Sequence, residues 1–570
     1  MTDPAHQTLA MARDTSSIDD LPVETLTHVL LHLRDVDPPQ AAREASTKGP
    51  ALERKLGWVN ATHVSRYWRD TTLSNPLFWT RVPFNIGQDW ASTFVQRCLS
   101  LPLDISLDLD SYGLATWIEA LLVDNFHRTR TLKVGFWNGS RRIEDPIYAL
   151  LERPSTILET LSLDRTWRQI EPPRLRSAQY PQLRSLNLIL DTLYAEDFPW
   201  RDLGTPKITD LSIKVGKPTH ITRILPDIMS CLQGLQALIS LKLDFAGPRY
   251  GHPAIPELVD DGTDHSLVPS VFLPVLENFT LRADAGAAVI MLQHISSPTT
   301  TLLTLFSHGP LKREPFASLL RPVISAQSER NPFRHLSFYD NDDEDHTMHI
   351  AAASSTPKLP LSHRNAGQNT RLYLDFSETV DFFPDILSVL GSEMMYHVEI
   401  HCTLERSLTS DTLLPCIPVQ FRNVTCLSFA MPKGQSNPRI TPNGIIVATM
   451  RRSLLPTADA SYPPFPKLAA LDLSFAGPGV LMARCMHPED AKPKRLTMPP
   501  TFAQAIADIM TARRDAGFRV PQVYVPEWTK RGTTFEETVY EVICSIPEVV
   551  FMPNGAHIVV DETSGEVRME

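Results

Sequence analysis

Two stretches of this 570-residue chain gather side chains able to do chemistry. The first, YDNDDEDHTMHI at 339–350, collects Asp340, Asp342, Asp343, Glu344, Asp345, His346 and His349. Carboxylates beside imidazoles can hold a divalent cation. An EF-hand loop also needs a central glycine and a distal glutamate, and this run has neither. Its composition therefore favours a solvated acidic loop. The second stretch, VSRYWRDTTLSNPLFW from Val64 to Trp79, packs Tyr67, Trp68, Phe78 and Trp79 beside Arg66 and Arg69, where aromatics make up only 8% of the chain. Such density suits a core, a base-stacking platform, a catalytic pocket or a docking site for another protein.

The familiar catalytic signatures are missing. There is no phosphate-cradling G-x-x-x-x-G-K-[ST], no G-x-S-x-G nucleophile elbow, no H-E-x-x-H and no G-x-G-x-x-G opening a helix. AGPGVLM at 476–482 has two glycines of that last motif without the third and reads as a turn; KPKR at 492–495 is too short for a nuclear signal. Seven cysteines, at 98, 231, 402, 416, 426, 485 and 544, follow no C-x-x-C spacing, which argues against a disulfide framework or structural zinc and for a reducing compartment. A net charge of −11 disfavours nucleic acid and anionic membranes as partners. The first residues lack an apolar secretion core, and no run of 18 apolar residues occurs. A protein of the cytoplasm or nucleus, not secreted, with no cofactor and no metal, is the expectation.

The elements that carry the aromatic stretch can be read from periodicity. In IDDLPVETLTHVLLHL, Asp20 is placed to cap a helix, Pro22 sits in its first turn and Glu24 complements its N-terminal dipole. Leu26, Val29, Leu30 and Leu33 form its apolar stripe. A Pro- and Gly-punctuated insertion follows at about 34–52, preceded at the start of the chain by a polar tail over 1–17. Periodicity resumes in ERKLGWVNATHVSRYWRDTTL, with Leu56, Val59 and His63 along one side and Trp58, Thr62, Ser65 and Trp68 along another. Asn75 and Pro76 cap and open a further turn bearing Leu77, Phe78 and Trp79. Three short helices of this size cannot bury all their aromatics alone.

Taken together, LPVETLTHVLLHL and GWVNATHVSRYWRDTTLSNPLFW resemble the F-box. Leu21, Pro22, Glu24, Leu26, Val29, Leu33, Val64, Arg66, Trp68, Arg69, Pro76, Leu77 and Trp79 fill the places of that motif in order, and the pattern is most similar to the expanded F-box proteins of mushroom-forming fungi. The insertion, about twenty residues beyond a compact F-box, and Ser65 in place of a common cysteine are departures. The resemblance implies a three-helix domain over 18–82 that docks the Skp adaptor of a cullin–RING ubiquitin ligase. Its implied docking residues are Leu21, Pro22, Leu26, Val29, Leu30, Leu33, Val64, Trp68, Leu77 and Trp79. Trp68, Trp79, Val64 and Leu77 then read as half of a divided core that the partner completes, with Arg66 and Arg69 on its solvated rim.

Beyond residue 100 one phrase recurs, apolar-x-x-apolar-x-apolar. It appears as LETLSL (158–163), LRSLNL (183–188), ITDLSI (208–213), LISLKL (238–243), LENFTL (276–281), FRHLSF (333–338), MYHVEI (395–400), VTCLSF (424–429), LAALDL (468–473), VPQVYV (520–525) and IPEVVF (546–551). Weaker echoes are TRTLKV, LLTLFS and NTRLYL. The first spacings are about 25 residues, and helices are predicted from Phe502 to Gly517 and from Phe535 to Ile543. A short strand with a helical return at that interval is the leucine-rich-repeat plan, in which stacked repeats share a core that none could bury alone. The array resembles irregular leucine-rich repeats. It lacks the usual Asn or Cys after the last leucine, with Thr166 in that place in the 158 repeat.

The predicted fold is thus an α+β or α/β solenoid, with a small three-helix F-box domain followed by an irregular leucine-rich-repeat domain over 83–570; an ordinary α/β domain with leucine-rich strands is the alternative. In the repeat plan, residues flanking the inward leucines face the concave sheet. These are Ser162, Asp164, Ser212, Lys214, Lys242, Asp244, Arg282, Tyr339, Glu399 and His401, mixed in sign, which suits one shaped protein surface better than a repetitive polymer. The functional expectation is a non-catalytic substrate receptor of an SCF-type ligase. Its rivals are a scaffold whose F-box-like segment packs internally and, further off, an enzyme with a dispersed active site.

Overall fold

In the phrases at 158–163, 183–188, 208–213, 238–243 and 276–281 the chain runs into a strand and all three apolar places are buried. The computed structural model describes residues 21–40, 55–109, 114–136, 146–147, 149–164, 178–190, 198, 200–203, 207–215, 221–245, 268–298, 302–308, 335–341, 347–353, 370–376, 390, 395, 397–401, 422–430, 454, 465–473, 501–526, 541–542, 544–552, 558–560 and 567–569. They fall into two compact units, 1–189 and 190–570. The short helices over 23–79 lie in the first unit together with the first strands of the leucine-phrase region. The tail 1–17, Asp20, Thr166, AGPGVLM, KPKR, Phe535 and Ile543 lie outside the described residues.

The first unit opens with α1 (Val23–Val36), a 3-10 turn over Gly57–His63, α2 (Arg66–Ser74) and a second 3-10 turn over Pro76–Trp79. Then come β1 (Arg81–Val82), α3 (Gln88–Arg97), β2 (Leu103–Leu109), α4 (Thr116–Asn125), β3 (Thr129–Phe136), β4 (Thr160–Asp164) and β5 (Ser185–Leu190). These strands pair in chain order, β1 with β2, β2 with β3, β3 with β4 and β4 with β5, all parallel. The register stacks Leu132, Leu161 and Leu186 in one row and Val134, Leu163 and Leu188 in the next, all buried. Burying such a side chain contributes about 1.5–3 kcal/mol, which is why the phrase specifies both strand and register.

The second unit contains β6 (Asp210–Val215), α5 (Ile221–Gln233), β7 (Ser240–Asp244), β8 (Val271–Phe272), β9 (Asn278–Asp284), α6 (Ala285–His294), β10 (Ile295–Ser296) and β11 (Leu302–His308). It continues through β12 (His335–Asn341), β13 (Thr347–Ala353), β14 (Thr370–Phe376), β15 (His397–His401), β16 (Cys426–Ala430), β17 (Ala470–Asp472), α7 (Phe502–Asp515), β18 (Gln522–Pro526), β19 (Val549–Met552), β20 (Ile558–Val560) and β21 (Val567–Met569). Parallel pairing runs β6, β7, β9, β11 and again β15, β16, β17, β18, β19. Between these runs the order is β11, β14, β13, β12, β15, and β13 lies antiparallel to both neighbours. The class is therefore mixed α/β with a large, mostly parallel ladder. Strand β13 carries no leucine phrase, which is why periodicity passed over it.

Helix α7 follows the sequence closely. Thr501 caps it, accepting from the Gln504 N–H at 3.1 Å; Phe502, Ala505, Ile506, Ile509 and Met510 are buried, and Gly517 adopts φ +73° just beyond its end. Among the described residues no helix is long and apolar enough to cross a membrane.

Candidate functional site

The F-box-like stretch is built from short elements that cap one another. Ser65 is extended, and its Oγ accepts from the Trp68 N–H at 3.3 Å. That cap breaks the run of periodicity predicted across Val64 into a 3-10 turn and α2. Asn75 Oδ1 accepts from the Leu77 N–H at 3.1 Å and opens the Pro76–Trp79 turn, as the sequence predicts. Helix α1 begins at Val23 with Pro22 at its cap position and no side-chain cap. Its ends are tied elsewhere: Tyr67 Oη donates to the Leu21 carbonyl at 2.8 Å, and Arg34 Nη1 donates to the Leu77 carbonyl at 2.7 Å.

The ten expected docking residues divide sharply. Leu26 and Leu30 are fully buried, Leu21 and Leu33 are half-buried and Pro22 is exposed. Val29, Val64 and Leu77 stand 46%, 60% and 47% exposed. Trp79 is fully buried, donates its indole N–H to the Thr72 carbonyl at 3.1 Å, and packs edge-on against Trp58 and Phe94 with ring centroids at 5.4 and 4.8 Å. The Arg97 guanidinium lies 4.4 Å above its ring. The Trp79 half of the divided core is thus completed by this chain's own α3, which lies beyond the expected 18–82 boundary. Trp68 is also buried, and its indole Nε1 has no hydrogen-bond partner among the described residues.

The outward apolar set is larger than the resemblance implies. Val23, Val36 and Leu73 are exposed beside Val29, Val64 and Leu77. Val29 and Val36, seven residues apart, share one edge of α1, a spacing legible in the sequence. Both arginines are exposed: Arg66 pairs with Asp70 at 3.6 Å in solvent, and Arg69 Nε donates to the Thr62 carbonyl at 2.9 Å.

The insertion is clamped at its neck. Gln40 and Lys55 form an antiparallel bridge with reciprocal N–H···O bonds of 2.9 and 3.2 Å, and the Trp58 N–H donates to the Asp37 carbonyl at 2.8 Å. Gly57 holds φ +57°, and a Cβ there would meet the Asp37 oxygen at 2.4 Å. Residues 41–54 lie outside the described set.

The expected target face also has a geometry. In the first unit Ser162 stands beside Lys133 and Asn187, and Asn187 Nδ2 donates to Ser162 Oγ at 2.9 Å; Asp164 is exposed, next to Gly135. In the second unit one lateral row runs Ser212, Lys242, Thr280, Thr304, Tyr373, Ala351, Ser337, Glu399, Ser428, Asp472, Tyr524, Val550. The adjacent row begins Lys214, Asp244, Arg282 and passes through Asp375 and His349 to Tyr339. Lys242 is exposed, whereas Asp244 is buried with Arg282 Nη1 at 3.6 Å. His401 sits opposite Ala430. Strand register, parallel except across β13, thus aligns most of the expected residues.

Sequence reasoning missed a buried polar cluster on this same face. His397 Nε2 lies 2.6 Å from Ser428 Oγ, which donates to Asp472 Oδ2 at 3.2 Å. With its one proton donated to Asp472, the hydroxyl is left to accept from an Nε2-protonated His397. Ser428 is fully buried between the imidazole and the carboxylate. The acidic run read as a solvated loop divides: Tyr339–Asn341 lie on β12, Thr347–Ile350 on β13, and Asp342–His346 fall outside the described residues. Among the described residues no group of three His, Cys, Asp or Glu side chains is placed to hold a metal.

A scan of protein-family models matches none to this chain, and no curated protein matches it as a relative.

Proposed function

We propose that residues 21–82 dock the Skp adaptor of a cullin–RING ubiquitin ligase and that the sheet face holds a protein target. The observation carrying this reading is the outward apolar set Val29, Val64, Leu73 and Leu77 on helices whose buried side is already satisfied by Leu26, Leu30 and Trp79. Several large apolar side chains left exposed on so short a helical segment favour a protein partner. In this reading the chain works by proximity, raising the effective concentration of a target's lysine near a charged conjugating enzyme.

A second reading, an interaction scaffold that recruits no ligase, is favoured by a different observation: Trp79 is closed over by Phe94 and Arg97 of the same chain. Capture of purified Skp protein by the full chain separates the two. Receptor function predicts capture that Val64→Asp with Leu77→Asp abolishes while the helical circular dichroism is retained. Failure of the unsubstituted chain to capture Skp selects the scaffold.

A further inference from the structure

Helix α1 carries two histidines, His28 and His32, in the run HVLLH. Residues at that spacing lie one turn apart on one helical face, with Cβ atoms about 5–6 Å from each other. The face is the outer one: Leu26 and Leu30, on the opposite side of the helix, are fully buried, and both histidines are exposed. The spacing is legible in the sequence, but the exposure of both side chains is not.

The helix that presents them is held at both ends. Tyr67 Oη donates to the Leu21 carbonyl just before its first turn, and Arg34 in its last turn donates to the Leu77 carbonyl. Two side chains on a backbone fixed in this way lose less conformational freedom on gripping a ligand than two on a loop would. Charge around the pair also suits a cation. Asp35, one turn after His32, already holds Arg34 and Arg81 at 3.2 and 2.7 Å. The carboxylate that this helix offers the pair is therefore Glu24, exposed one turn before His28. A carboxylate in that place is within reach of the second ring N–H of a ligating histidine, a bond that orients the ring and raises its basicity.

We infer that His28 and His32 form a surface site for a divalent ion of the zinc class. Two imidazoles one helical turn apart chelate a single ion, and imidazole favours zinc, copper or nickel over magnesium and calcium. The site is an open one. No third protein ligand joins the pair among the described residues, so water holds the remaining positions. The run also lacks the glutamate that follows the first histidine in the helical metalloprotease motif, so the site binds without that hydrolytic chemistry. It needs no adaptor, and it stands or falls apart from the docking reading above.

Carbethoxylation by diethyl pyrocarbonate, mapped by mass spectrometry on the full chain after treatment with EDTA, tests the site residue by residue. His63, exposed at the end of the neighbouring 3-10 turn, is the internal control. Zn²⁺ is expected to protect His28 and His32 together, at one midpoint, and to leave His63 reactive; Mg²⁺ should protect none of the three. Removing one ligand destroys the chelate. His28→Gln should raise the Zn²⁺ concentration that protects His32 about tenfold or more, and His32→Gln should do the same for His28. Both positions are exposed, so the circular dichroism of each variant should match that of the unsubstituted chain. Undiminished modification of either histidine in Zn²⁺ overturns the site. So does protection of one that survives substitution of the other, or protection of His63 at the same midpoint, since either would mean binding to single imidazoles.

Discussion

Arg34 Nη1 donates to the Leu77 carbonyl at 2.7 Å, across a sequence separation of 43 residues that includes the insertion. A second bond reaches Thr80 Oγ1 at 3.4 Å, and Asp35 holds Arg81 at 2.7 Å. The end of α1 is thereby locked onto the turn that presents Leu77. Charged hydrogen bonds of this kind contribute about 1.5–3 kcal/mol, so Arg34→Met should lower the urea midpoint of the tryptophan-fluorescence transition by a corresponding amount. Arg66→Met, which removes a solvent-exposed pair, should leave it unchanged.

Trp79 and Leu77 are two residues apart and should behave oppositely. Trp79→Ala empties the centre of the Trp58–Phe78–Phe94 cluster and should cost about 3–5 kcal/mol, seen as loss of soluble protein or a large fall in thermal midpoint. Leu77→Ala should stay within about 0.5 kcal/mol while weakening adaptor capture. If Leu77→Ala destabilises as much as Trp79→Ala, its side chain is not a free docking group.

The neck of the insertion yields a pair of constructive and destructive changes. Gly57→Ala drives a Cβ into the Asp37 and Pro38 backbone at a positive φ, and should cost about 2 kcal/mol or more in the denaturation midpoint. Replacing 41–54 by Asn-Gly should be tolerated, because Gln40 and Lys55 already form the hydrogen-bonded antiparallel pair that a two-residue hairpin turn closes. Unchanged adaptor capture by that shortened chain would place the insertion outside the docking surface.

Burial pushes the Cys231 thiol up to about 12 from its ordinary value of 9.0. The folded-state value is the raised one, so the unfolded chain releases its proton first as pH increases. The contribution is full below pH 9.0 and is lost progressively as pH rises toward the folded value, with a slope of about 1.4 kcal/mol per pH unit. The unsubstituted chain should therefore lose urea resistance between pH 9 and 11 more steeply than Cys231→Ala.

The parts of the fold that were legible are those where one local rule decides the outcome. Leu161 and Leu163, or Leu211 and Ile213, alternate with polar residues, and a strand that buries one face has only one register available. Caps at Asn75 and Thr501 are equally local. What escaped was set by residues far away in sequence. Val29 matches the α1 stripe by spacing but faces outward, because the core beneath α1 accepts Leu26 and Leu30. Trp79 has the composition of a docking anchor, and only the arrival of Phe94 and Arg97 makes it interior. The strand β13, TMHIAAA, has no inward leucines and holds its place through neighbours on both sides. The His397–Ser428–Asp472 bridge joins three strands that no spacing rule connects.

The reversed passage β11, β14, β13, β12, β15 has a consequence for how the chain is made. A polypeptide emerging from the ribosome can lay β6, β7, β9 and β11 side by side in order of synthesis. Strand β12 has no place on β11 when it appears; its neighbours are β13 and β15. The growing sheet must wait with the β11 edge open until β14 has been synthesised, and an open parallel edge is what invites wrong partners. Ribosome pausing or chaperone capture should therefore concentrate between residues 308 and 376, the interval in which the edge stays open.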